Sequence, residues 1–367
     1  MHYFRGKRVF VTGHTGFKGS WLTRWLLHLG AEVGGFSLYI PSEPSHFEKL
    51  GLKNKIRHYD GDVCDIGQLS SAVSEFKPEI FFHLAAQPIV RRSYEERKIT
   101  FDTNVGGTVN VLEAILSEHS VRSAVIITSD KCYENVEWEY GYRETDRLGG
   151  KDPYSASKAC AEIVFSSYAR CFFSDPSSAR IATARAGNVI GGGDWAQDRL
   201  IPDLMRSWSR SEEAVLRNPQ STRPWQHVLE PLSGYLWLAL CLGKGSATSL
   251  SGEAFNFGPH GWMNHNVGTV TADMSKYWQQ RRWKKEGDLS SKKHEAGLLK
   301  LNCEKAQTRL GWMPSLNYEE CVRFTAEWYR NYYAGDLAEA LTLGQIQEYE
   351  KLGAERQCVW STGRNTV

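Results

Sequence analysis

Five residues of strand character, Arg8–Thr12, run into Gly13-His14-Thr15-Gly16-Phe17-Lys18-Gly19, and a helical pattern follows at once. Three glycines at that spacing between a strand and a helix allow few folds. Gly13 lets the chain turn sharply as it leaves the strand. Gly16 leaves the backbone bare, so a pyrophosphate can approach it. Gly19 lets the helix pack closely on a sheet. The first helical turn then turns unpaired N–H groups and the positive end of its dipole toward an anion. Phe17, Trp21, Leu22, Trp25, Leu26 and Leu29 recur at helical spacing, and Gly30 is a natural stop. The segment reads as the dinucleotide-binding start of an α/β domain, with Gly13, Thr15, Gly16, Phe17 and Gly19 as candidate cofactor contacts.

The next 160 or so residues keep alternating strands with helices, which predicts a doubly wound, Rossmann-type parallel sheet with right-handed crossovers. The expected strands are 8–12, 32–38, 55–59, 79–84, 124–129 and 181–186. Helical patterns cover 101–116, with Val105, Val109, Leu112 and Ile115 on one face, and 154–173. After Gly191 the alternation stops, and loops rich in Gly, Pro and Trp appear. The expected organisation is a cofactor domain over 1–190. A smaller part over 191–367 binds substrate and interleaves with the last strands.

Further cofactor contacts are expected at strand ends. Asp62, followed by Val63, can accept from an adenine amino group, while Asp65 reads as a helix N-cap. The small run Leu84-Ala85-Ala86-Gln87 leaves room for the cofactor backbone. One element is missing. The acid that usually holds the adenine ribose would fall within Ser37-Leu38-Tyr39-Ile40, where there is none, and no arginine follows that strand. NAD is therefore expected over NADP. Lys18 is the one nearby cation that would favour a 2′-phosphate, against a plain reading as a solvated first-turn lysine.

Tyr154-Ser155-Ala156-Ser157-Lys158 opens a helix after Asp152-Pro153. Positions i and i+4 share a face, so phenol and ammonium point the same way. A free phenol titrates near ~10 and is a poor base. A neighbouring ammonium and a positive nicotinamide ring bring it toward the working range. Such a tyrosine can take a hydroxyl proton while hydride leaves the same carbon. Ser129, Asp130 and Lys131 place a hydroxyl, a carboxylate and an amine at the end of the fifth strand, where parallel sheets bind ligands.

Composition narrows the partners. A net charge of +2 over 367 residues argues against nucleic acid or a membrane surface. The pairs Lys284-Lys285 and Lys292-Lys293 read as solvated faces. Eight cysteines without a C-x-x-C pair suit a reducing compartment and give no support to a metal site. No apolar run approaches the ~20 residues of a membrane span. The N-terminus lacks signal-peptide character, so the expected address is the cytoplasm.

Together TGHTGFKG, GDVCD, HLAAQP and YSASK resemble the extended short-chain dehydrogenase/reductase family over nearly the whole chain. SDKCYEN, GYRE, GGKDPYSASK, RAGNVIGGGDWAQDRLIPD and RNPQSTRPWQHVLEPLSGY look like one branch of it, the CDP-glucose 4,6-dehydratases. The resemblance implies NAD, a CDP-glucose substrate and a homodimer packed through the helices 101–116 and 154–173. It implies that Tyr154, helped by Ser129 and Lys158, assists oxidation at C4, and that Asp130 protonates the departing C6 hydroxyl. Lys131 stands where such enzymes normally carry a carboxylate base for C5. Asn188, Arg199 and Arg223 would meet the substrate diphosphate, with Arg217 and Asn218 near the cytosine. His294-Glu295 resembles a segment near the substrate. The competing readings are a nucleotide-sugar 4-epimerase or 4-reductase, which needs no acid for C6, and a non-catalytic dinucleotide sensor.

Overall fold

The computed structural model describes residues 1–363 apart from 198, 245–247, 262, 264, 280–281 and 286–297. Lys292-Lys293 and His294-Glu295 therefore lie outside the described residues. Seven parallel strands form the central sheet: β1 (Arg8–Thr12), β2 (Glu32–Ser37), β3 (Arg57–Asp60), β4 (Ile80–His83), β5 (Ser123–Ile127), β6 (Arg180–Ala186) and β7 (Ala254–Phe257). Their order is β7-β6-β5-β4-β1-β2-β3. The order reverses between β1 and β4, and a doubly wound sheet opens a crevice at that point.

Apart from the edge strand β3, the strands are largely apolar because both faces of the sheet are covered. Phe10, Phe81, Ala124, Ile126 and Ile181 face a core completed by the helices α2 (Ile66–Phe76), α3 (Gly107–Ser117) and α4 (Pro153–Cys171). Val9, Val11, Ile80, Phe82, Val125 and Ile127 face the other side. There they meet Trp21 and Trp25 of α1 (Phe17–His28), together with the buried helix α5 (Leu229–Gly243). That side extends into the C-terminal half, where Trp25 packs edge-on to Tyr349 and Trp360. The seventh strand also comes from that half.

Two expected elements differ in detail. The pattern over 101–116 is not one α-helix: a π-helical turn spans Asp102–Gly106 before α3 begins. Gly107 then passes so close to Val63 that a Cβ would lie 2.8 Å from a Val63 methyl carbon. The third strand starts two residues late, because the turn Leu52–Asn54 occupies the chain before it.

A buried polar cluster ties α4 to the sheet. Glu162, two turns along the helix from Tyr154, accepts hydrogen bonds from the hydroxyls of Thr128 and Thr183, the latter at 3.0 Å. Its third partner is the Arg185 guanidinium at 2.7 Å, with both side chains buried. Arg185 also donates to the Tyr133 oxygen (2.8 Å), and the Tyr133 hydroxyl donates to Asn256 of β7 (2.8 Å). Burial pushes the Glu162 carboxyl up, but Arg185 and the two hydroxyls outweigh it, and its pKa lies below the ordinary value. That contribution to stability is complete above the usual glutamate value of about 4.3 and is lost as pH falls below it. Glu162→Gln leaves a buried guanidinium uncompensated and should cost about 3–5 kcal/mol in urea unfolding at pH 7. A loss well under 1 kcal/mol would show that the cluster is not a structural tie.

Candidate active site

A cavity of about 1460 Å³ lies over the carboxyl ends of the central strands. Pockets for one small ligand usually hold ~300–1,000 Å³, so this one has room for two. At its β1 end lie Gly13, Thr15, Gly16, Phe17 and Gly19, with Asp62 and Val63 alongside. Gly13 has φ +75°, and a Cβ there would sit 2.6 Å from the Ala85 nitrogen. A Cβ on Gly19 would overlap the Gly13 carbonyl. The loop therefore tolerates no side chain at either position, and its backbone stays open to an anion. One Asp62 oxygen accepts from the Cys64 N–H (2.9 Å), while Asp65 caps α2 as expected.

Leu84, Ala85, Ala86 and Gln87 form the next stretch of wall. The Gln87 side chain is committed internally. It donates to Thr100 (2.9 Å) and accepts from the Ile89 N–H (2.7 Å), so its amide is taken up inside the protein. Asn104, in the π-helical turn, was not legible as a site residue. Its side chain accepts from the Gln87 N–H (2.8 Å) and donates to Ser157 on α4 (2.9 Å). It thereby joins the cofactor-side loop to the helix of Tyr154. Interrupted helices of this kind recur at functional sites.

Ser37 ends β2 where the ribose acid was expected. Its hydroxyl lies 2.9 Å from His14 Nδ1, and His14 Nε2 lies 2.7 Å from His58 Nδ1. Burial holds the His14 pKa near 3, so the ring is neutral. The cation missing after β2 arrives from elsewhere: Arg92 Nη1 donates to the Tyr39 phenol oxygen at 3.1 Å. Arg92 is also paired with Glu96 at 2.6 Å, which offsets its charge.

At the other end, Ser129, Asp130, Lys131, Tyr154 and Lys158 line the same cavity. Asp152 caps α4 by accepting from the Ser155 N–H (2.9 Å), and Pro153 presets its first turn. Tyr154 and Lys158 are both buried on that helix. The Asp130 carboxylate accepts from the Ser129 hydroxyl (2.9 Å). A Cβ on Gly187 would come within 3.0 Å of its second oxygen, so the bare backbone there makes room for it. Burial pushes the Tyr154 phenol up to about 12, with Ser129 pulling it back and Asp130 adding to the rise. The expected drop toward neutrality is therefore absent from the protein alone: Lys158, itself lowered to about 8 by burial, does not offset desolvation.

Asn188, Arg199, Arg217, Asn218 and Arg223 close the cavity. Arg199 pairs with Asp194 at 3.0 Å. Arg223 lies in a short antiparallel pair with His265 and donates to the Thr222 carbonyl (2.8 Å). Lys285 is exposed, yet it reaches the rim. Among the described residues, no group of three or more His, Cys, Asp or Glu side chains gathers as a metal site.

Lys158 yields the test of this electrostatic picture. A lysine whose pKa is lowered by burial destabilises the fold while charged, and that penalty fades as pH rises through about 8. Lys158→Met should therefore be more stable than the wild type at pH 7 by about 1–3 kcal/mol. The difference should shrink toward pH 10. Urea titrations at the two pH values check this, and a variant less stable at pH 7 would contradict it.

A model of the GDP-mannose 4,6 dehydratase family matches residues 10–325. The chain is 45% identical over 354 residues to the CDP-glucose 4,6-dehydratase of Salmonella typhimurium, covering 95% of this chain and 97% of that protein. It is 28% identical to the CDP-paratose 2-epimerase of Salmonella typhi over 68% of this chain and 78% of that one. Its fold is similar to a dTDP-glucose 4,6-dehydratase of Bacillus anthracis solved in complex with NAD. The TM-score is 0.73 at 20% identity, covering 90% of this chain and 98% of that one. With the family matched over most of its length and its motifs gathered on one cavity, the chain belongs to the GDP-mannose 4,6 dehydratase family.

Proposed function

We propose that this protein is an NAD-dependent CDP-glucose 4,6-dehydratase, producing CDP-4-keto-6-deoxyglucose. The observation that carries the reading is the 45% identity to the Salmonella typhimurium enzyme over 95% of the chain. The cavity supports it, since glycine loop, Tyr154-Lys158 and the Asp130 carboxylate all line one space large enough for two ligands.

The open backbone of Gly13, Gly16 and Gly19 fits a dinucleotide pyrophosphate, with Asp62, Val63 and the 84–87 wall along its length. A dinucleotide held there would supply the hydride chemistry, taking up hydrogen from the sugar C4 and giving it back at C6. The residues do the rest. Tyr154, beside Ser129, takes the C4 hydroxyl proton. It acts from its phenolate form, whose negative charge the Lys158 ammonium steadies, and becomes a neutral phenol as it takes the proton. The C4 ketone acidifies C5–H; as a base takes the C5 proton, Asp130, from its protonated form, gives a proton to the departing C6 hydroxyl and the C5–C6 double bond forms. Lys131, next along the chain, lines the same cavity; it serves as the C5 base only from its neutral form, and as an ammonium it steadies the enolate while another group takes the proton. Arg199, Arg223 and Asn188 are assigned to the substrate diphosphate, whose oxygens match the planar fork of arginine. Arg217 and Asn218 are assigned to the cytosine.

A 4-epimerase of the same family would use Tyr154 and Lys158 but would have no task for Asp130. The further parts of the proposal are the cytoplasm and a dimer. All eight cysteines are free thiols, which suits a reducing compartment. Ile99, Phe101, Ile163 and Phe172 are exposed on and beside the two helices assigned to the dimer contact.

Two experiments test the reading. Asp130→Asn keeps shape but removes the proton donor, so loss of the C6 hydroxyl should slow by about 10²–10⁴-fold. Reduced cofactor should then build up on mixing with CDP-glucose, whereas Tyr154→Phe should show no such build-up. Wild-type turnover in Asp130→Asn would overturn the assignment. Nucleobase choice is the second test. CDP-glucose should have a far higher kcat/KM than dTDP- or UDP-glucose, and comparable values for all three would refute the cytosine assignment.

A further inference from the structure

Lys18 fits neither role that its sequence context suggested. It lies in the first turn of α1, two residues after the N-cap Gly16, and it is half-buried in the cavity wall rather than solvated. Its charged neighbours are Asp130, Arg199 and Lys158. Asp130 follows β5, Lys158 is on α4 and Arg199 follows β6. All three belong to the β5–β6 side of β1. The ribose end lies on the opposite side, at β2, where Tyr39 meets Arg92. Lys18 is therefore turned away from any 2′-phosphate.

The groups around it are already engaged. Arg199 is paired with Asp194, and one Asp130 oxygen is taken by the Ser129 hydroxyl. The Lys18 ammonium itself has no hydrogen-bond or ion-pair partner among the described residues. Burial lowers its pKa to about 8, Asp130 opposes that, and Arg199 and Lys158 add to it. At neutral pH the ammonium is thus mostly charged, half-shielded in the cavity wall and near two further cations. Three cations gathered near Asp130, one of them already paired with Asp194, repel one another, and an anion placed among them relieves that repulsion.

We propose that Lys18 is a diphosphate-binding residue of this cavity, its ammonium pairing with a phosphate oxygen of a bound ligand. The inference rests on the nucleotide-sugar reading, in which two diphosphates enter the cavity, one from the dinucleotide and one from the substrate. The chemistry is the same for both: a charge-assisted bond from a half-buried ammonium to a phosphate oxygen. The N–H groups of the same helical turn favour the dinucleotide, whereas the adjacent Arg199 favours the nucleotide sugar.

Calorimetric titrations separate the two sources. NAD is titrated into ligand-free protein, and CDP into protein saturated with NAD. Lys18→Met should raise Kd by about 10- to 100-fold in at least one arm, the range for losing a charged hydrogen bond. The arm affected names the ligand, and losses in both place Lys18 between them. Lys18→Arg should recover most of the affinity, because it restores charge without restoring a lysine. Lys18→Gln serves as a second neutral variant should the methionine form fold poorly. Unchanged Kd values in both arms, in a neutral variant with wild-type circular dichroism, would overturn the inference. Failure of the wild type to bind either ligand would instead overturn the dehydratase reading on which it rests.

Discussion

Glu162 sits where a helix and two strands meet, and its carboxylate holds all three through Thr128, Thr183 and Arg185. Lys158 and Tyr154 lie one and two turns back along the same helix, and Ser129 and Asp130 follow Thr128 directly. A shift of this helix along the sheet would move the phenol relative to the carboxylate. The network prevents it from below, while the Asp152 cap and the bond from Asn104 to Ser157 hold the near end. Burying such a cluster is costly, and removal of one member leaves another charge without a partner. That asymmetry makes the arrangement all-or-none, which suits a site that must keep an acid and a phenol in register through several proton transfers.

A second constraint is steric. The cradle at Gly13 and Gly19 exists only without side chains, and Gly187 gives Asp130 its space in the same way. Both ends of the cavity are thus cut from bare backbone, one for an anion and one for a carboxylate. Between them, the side chains carry an excess of positive charge at neutral pH. Without ligands, burial dominates: Tyr154 stays protonated, and Lys18 and Lys158 lose affinity for their protons. In this account, binding of the two diphosphates restores the balance, so the site becomes competent for chemistry only when filled.

Much of the fold was legible because most of the central strands are buried on both faces and read as apolar runs; only the edge strand Arg57–Asp60 is polar and half-exposed. The glycine loop and the Tyr154-Lys158 pair were legible because their chemistry needs fixed short spacings. Ala254–Phe257 was not identified as a strand. Four residues show no periodicity, and β6, which they pair with, is far away in sequence. The interruption at Asp102–Gly106 was hidden because the helical pattern runs through it. Contacts such as Arg92 with Tyr39, or Arg185 with Glu162, join residues on different elements, and only the folded chain brings them together. Lys18 was misread for the same reason. Its position beside the glycine loop was visible, but the strands that surround its ammonium were not.

The central claim is that one site removes hydrogen from C4, eliminates water across C5 and C6, and returns the same hydrogen to C6. CDP-glucose carrying deuterium at C4 tests this most directly, with the product examined by NMR and mass spectrometry. The account predicts that the deuterium appears at C6 of the same molecule, with hydrogen from solvent at C5. Deuterium retained at C4 in an epimerised sugar, or lost to solvent with no 6-deoxy product formed, would contradict it.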